Sequence, residues 1–113
     1  MSLTVKATNL EFTPALRDYL EDKVKALQKY YPKIISVQAE IELTTNHHHK
    51  GDIYRAELNV SVPGKLLRVE KTTKNLYKAI DKAKDHMAEE LRRFKGKIIN
   101  QKRRATKAAV LAE

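Results

Sequence analysis

The chain contains no cysteine and no tryptophan, and only three glycines and three prolines among its 113 residues. The lack of cysteine excludes disulfides and thiolate metal centres, and fits a reducing compartment. Gly51, Gly64 and Gly96 stand far apart, so they cannot build a glycine-rich phosphate loop. The longest apolar run, Ala108 to Ala112, is far too short to span a bilayer, which needs about 20 apolar residues. Met1 to Lys6 lacks the charged-then-apolar layout of a secretory signal. The serines are Ser2, Ser36 and Ser61, none in the sharp-turn context of an activated nucleophile. A single cytoplasmic domain without catalytic function, membrane attachment, small-molecule substrate, metal or cofactor is the expectation.

Positive charge is what the chain does have. Its formal net charge is +9, and residues 61–113 hold fifteen of the 23 basic residues but six of the 14 acidic ones, so the whole excess lies there. One strongly basic half predicts a polyanionic partner, nucleic acid before anionic membrane.

The hydrophobic pattern predicts β-α-β-β-β-α. Leu3, Val5 and Ala7 alternate with polar residues as a first strand. Thr13 can cap a helix that opens on Pro14 and carries Leu16, Leu20, Val24 and Leu27 on one face, stopping before Pro32. Ile35 to Leu43 and Tyr54 to Val62 are alternating strands, Pro63-Gly64 is a turn, and Leu67 and Val69 continue as a fourth strand. Thr72 or Thr73 can cap the second helix, whose stripe is Leu76, Ile80, Ala83, Met87, Leu91, Phe94 and Ile98. Gly96 is expected to end or loosen it. The expected organisation is an α/β domain over 1–100 and a basic, flexible tail over 101–113. Strands with one apolar face call for both helices on that face: an α+β fold, a four-stranded sheet with two helices packed on one side.

The opposite sheet face carries Lys6, Gln38, Glu40, Glu42, Arg55, Glu57, Asn59, Arg68 and Glu70. It offers no aromatic platform on which to stack bases, and its carboxylates repel phosphate. The candidate RNA-binding residues lie elsewhere. Lys74, Lys78 and Lys82 recur every four residues along the second helix, with His86 beyond them. Arg92, Arg93, Lys95 and Lys97 crowd its end, followed by Lys102, Arg103 and Arg104. Lys23, Lys25 and Lys29 of the first helix extend this surface. Long cations on an exposed ridge are what phosphate binding requires, because each neutralised phosphate releases counterions. Asp81, Asp85, Glu89 and Glu90 favour an ordinary solvated face in mid-helix. His47, His48 and His49 are consecutive, which disfavours convergence on one metal ion, so a surface loop is expected there.

Several of these elements resemble the ribosome hibernation promoting factor family, which includes the ribosome-associated inhibitor A proteins. The resemblance rests on the element order, on Thr13-Pro14-Ala15-Leu16-Arg17, on Asn75-Leu76-Tyr77-Lys78-Ala79-Ile80-Asp81, and on Glu90-Leu91-Arg92-Arg93-Phe94-Lys95-Gly96-Lys97. It covers about residues 2–100. It implies a double-stranded-RNA-binding-domain-like fold with an extra first strand. It also implies a stress or stationary-phase protein that binds small-subunit rRNA at the subunit interface and blocks the mRNA/tRNA channel. By position it assigns phosphate contacts to Lys23, Lys29, Arg93, Lys95 and Lys97. Lys74-Asn75 stands where the family often has an acidic pair, and His86 and Glu89 where it often has Lys and Arg. The resemblance is to a short form, expected to be monomeric away from the ribosome. Two further readings stay open: a general duplex-RNA module gripping phosphates with Lys74 to Lys82, and a metal-dependent hydrolase using the histidine loop.

Overall fold

The computed structural model describes residues 1–45 and 51–112. Six elements follow one another: β1 Ser2–Thr8, α1 Pro14–Leu27, β2 Ser36–Thr45, β3 Asp52–Val62, β4 Lys65–Thr73 and α2 Leu76–Ala112. The expected order and class are both present.

The strands form one sheet in the order β1-β2-β3-β4. β1 pairs parallel with β2, Val5 opposite Ala39, and the α1 crossover supplies the length that a parallel pair needs. The other pairs are antiparallel, with Ala39 opposite Leu58 and Leu58 opposite Val69. Register puts Val37, Ala39, Ile41, Ala56, Leu58, Val60, Leu67 and Val69 on one face, all buried. A slip by one residue would turn every one of them outward. Leu16, Leu20, Val24 and Leu27 of α1 and Ala79, Ile80, Ala83, Met87, Ala88 and Leu91 of α2 join them in one core. Each large apolar side chain buried there stabilises the fold by roughly 1.5–3 kcal/mol.

Local chemistry sets the boundaries. Thr13 caps α1 as expected: its hydroxyl accepts from the Leu16 N–H at 3.2 Å, with Pro14 in the first turn. The cap of α2 is Asn75, not Thr72 or Thr73. Its Oδ1 accepts from the Lys78 N–H at 3.2 Å, and its carbonyl accepts from the Ala79 N–H at 3.0 Å. Both threonines belong to β4, and the Thr73 hydroxyl braces the turn by accepting from the Asn75 N–H. At the start of β2 it is Ile34 that enters the core, while Ile35 is 56% exposed. Gly64 turns β3 into β4 at φ +81°, a conformation suited to glycine.

The largest departure from expectation is the length of α2. It runs unbroken through Gly96 to Ala112, 37 residues or roughly 55 Å of helix, where Gly96 was expected to end or loosen it and a basic, flexible tail to follow. One glycine costs a helix only about 1 kcal/mol relative to alanine. The residues after it are mostly good helix formers, with no proline among them. The helix sets the long dimension of a molecule 66 × 30 × 17 Å. Its radius of gyration is 17.7 Å, against roughly 13 Å for a rounded domain of this length.

Candidate nucleic-acid interface

The uncovered sheet face behaves as its sequence suggests. Arg55 sits at its centre and reaches Glu42 at 3.1 Å, Glu40 at 3.3 Å, Glu57 at 3.4 Å and Glu70 at 3.9 Å. Glu57, 6% exposed, also pairs with Arg68. Burial pushes the Glu57 carboxyl up, but its contacts with Glu40, Arg68 and Arg55 outweigh that and hold it below the usual carboxylate range. Arg55 loses by desolvation and gains more from its carboxylates, so its pKa is raised. Arg55 and Arg68 of this face are therefore spent on acids, whereas Lys6 on β1 is exposed without a carboxylate partner among the described residues. No aromatic side chain stands among the strand residues that share the face.

The cations of α2 are spent differently. Lys78, Lys82, Arg92, Arg93, Lys95, Lys97, Lys102, Arg103 and Arg104 are all exposed. Within this set, only Arg93 has a carboxylate partner among the described residues, Glu90 at 3.2 Å. That pair is a weak restraint, because Arg93 is 67% exposed and solvent screens it. At 100° per residue, Lys78, Lys82, Arg93 and Lys97 fall within roughly 100° of arc, so they share one side of the helix. They are not scattered over unrelated sides.

Two flanks are distinguishable. On the β4 side, Lys82 and His86 line an open groove with Lys71, Thr72, Asp85 and Glu89. Arg93, Lys97 and Arg104 follow His86 at helical spacing and continue that flank. His86 places Nε2 3.4 Å from Glu90, and its buried Nδ1 has no hydrogen-bond partner. The two acids Asp85 and Glu89 interrupt the cationic line in mid-helix. On the α1 side, the Arg92 guanidinium lies 4.7 Å from the Tyr30 ring centroid and the Lys84 ammonium 5.9 Å from it. Such stacking holds Arg92 in place without neutralising it, whereas Lys84 also pairs with Asp85 at 3.5 Å. Lys74 is exposed at the entry to α2, beside Tyr54 and Tyr77.

In α1 and the turn after it, Lys25 and Lys29 are exposed, without a carboxylate partner among the described residues. Lys23 is committed to the fold. It pairs with Asp81 of α2 at 3.1 Å, and the Tyr19 hydroxyl donates to the same carboxylate at 2.5 Å. Partial burial pushes Asp81 up, and the bonds from Tyr19 and Lys23 more than compensate, so its pKa is lowered. Tyr19 meets Tyr77 edge-on at 4.8 Å, completing a polar and aromatic clasp between the helices. Sequence reasoning missed Lys33 as a member of the cationic surface. The one local signal was the run Tyr30-Tyr31-Pro32-Lys33, aromatic residues beside a cation. His47, His48 and His49 lie outside the described residues. Among those described, no group of histidine and acidic side chains is placed to hold a metal ion, and no helix is long and apolar enough to cross a membrane.

Fold and surface together define a class: a small α/β domain with one apolar sheet face covered by two helices, presenting its positive charge along the longer helix. Residues 3–99 match the family described as Sigma 54 modulation protein / S30EA ribosomal protein, and the chain belongs to that family. It is similar to a ribosome hibernation promotion factor of Deinococcus radiodurans, 34% identical over 95 residues, covering 83% of this chain and 49% of the relative. A factor of the same name from Picosynechococcus is 28% identical, over 90% of this chain and 53% of the relative. The chain thus spans about half the length of the curated relatives it matches. Among solved structures, the N-terminal domain of Thermus thermophilus Protein Y has a TM-score of 0.62 at 36% identity, covering 82% of this chain and 94% of that domain. A ribosomal subunit interface protein from Coxiella burnetii has a TM-score of 0.73 at 20% identity, covering 85% of this chain and 99% of that one, and supports the fold.

Proposed function

We propose that this chain is a ribosome hibernation factor. It binds small-subunit rRNA at the subunit interface through α2 and blocks the channel used by mRNA and tRNA. The observation that carries the reading is the row of exposed α2 cations, all but Arg93 without a carboxylate partner among the described residues, while Arg55 and Arg68 of the sheet face are held by acids. Family membership and the names of the relatives support the ribosome as the polyanion. On this reading the protein is cytoplasmic, works by occupancy rather than catalysis, and holds RNA by phosphate contacts that position it on a folded surface.

Gradient sedimentation of lysate, with ribosomal fractions probed for the protein, tests this. The expected result is co-migration with small subunits, weakened by salt, and displacement by mRNA or tRNA. Equal affinity for any duplex RNA, with no preference for small subunits, would instead favour a general duplex-binding module.

A further inference from the structure

Beside the far half of α2 lies a groove of about 210 Å³ unlike the rest of the basic surface. Its floor is apolar: Tyr31 and Pro32 from the turn after α1, Ile98 and Ile99 from α2. Three lysines complete its lining, Lys33, Lys95 and Lys102, and no carboxylate is among the lining residues. Lys95, Ile99 and Lys102 follow one another at spacings of four and three, so α2 presents one cation on each side of an apolar side chain. Tyr31 is fixed from within, edge-on to Phe94 at 5.5 Å. Ile99 is 39% exposed, a large apolar side chain left open amid positive charge. A shape of this kind suits a ligand with a flat, weakly polar body and an anionic edge.

We infer that this groove takes one unstacked nucleotide of a single RNA strand. The base lies over Pro32 and Ile99, and the flanking phosphates lie against Lys33, Lys95 and Lys102. The inference rests on the RNA-binding reading above and extends it from backbone contact to base contact. Charge selects nucleic acid here: the groove is free of acids and continues the α1-facing flank marked by Arg92. Proteins that hold single strands combine the same two parts, a cationic track and a surface on which bases lie. Duplex RNA keeps its bases stacked and has none to offer the floor.

Methyl NMR of the full chain tests it, titrating with a short oligoadenylate, a duplex RNA of equal length, and an acidic peptide with one leucine. The expected result is a shift of the Ile98 and Ile99 methyl signals with oligoadenylate alone. Ile99→Asp should weaken oligoadenylate binding by at least roughly fivefold, and Ile99→Leu should preserve it. Methyl signals that stay still with oligoadenylate, or that answer only the acidic peptide, overturn the inference. Sedimentation with small subunits separates this from the parent reading. Unmoved methyl signals in a protein that still co-sediments remove the groove alone. Methyl shifts in a protein that ignores small subunits leave the groove standing and remove the ribosome.

Discussion

Asp81 shows how one residue decides between fold and function for its neighbour. By accepting from Tyr19 and pairing with Lys23, it fixes α1 against α2 and takes one cation out of the surface. Its pKa is lowered in the folded state, so its contribution is complete above the unfolded carboxylate value and is lost as pH falls through the folded value. Asp81→Asn is expected to lower stability at neutral pH by about 1 kcal/mol or less, given the exposure of both partners. The two proteins should converge in acid, which thermal melts across pH would show. Arg55 is the opposite case, one cation amid four carboxylates. Arg55→Ala leaves the shielded Glu57 with Arg68 as its one cation and should cost about 1.5–3 kcal/mol at neutral pH by chemical denaturation. Glu57 is likewise held low, so that loss should shrink as pH falls through its folded value.

Among the elements, the strands were the most legible in sequence, because alternation with period two reports directly which side chains enter the core. Register then followed from burial. Helix ends were less legible. Asn75 lies next to two threonines that can serve equally well as caps, and only the length of β4 decides among the three. The passage of α2 through Gly96 was not legible, since a glycine between good helix formers weakens a helix without ending it. A Cβ at Gly96 would meet nothing within 4 Å. Gly96→Ala should therefore stabilise the protein by about 0.5–1 kcal/mol in chemical denaturation. A loss of stability there would show that the helix does not continue as described. The candidate surface on α2 was readable as a charge run. The groove was not, because Tyr31 and Pro32 meet Ile98 and Ile99 across more than sixty residues of chain, and no local pattern encodes that contact.

Viewed whole, the molecule separates its charges. The arginines of the sheet face are closed off by ion pairs, and most of the positive excess lies along a helix that sets the 66 Å dimension. Extension matters, because a rod of cations can follow a folded polyanion over several phosphates where a rounded domain meets fewer. Binding should therefore fall steeply with salt, with log affinity linear in log salt concentration. Each phosphate-contacting lysine or arginine removed should reduce that slope by about one. Replacing residues of the sheet face should leave the slope unchanged.

Whether α2 itself carries the interaction is best decided by the affinity of Arg93→Glu/Lys95→Glu/Lys97→Glu for purified small ribosomal subunits, with circular dichroism and melting checked in parallel. All three positions are exposed, so the variant should stay folded, and its binding should disappear. A folded variant that binds small subunits as tightly as the parent would contradict the assignment of that helix as the gripping surface.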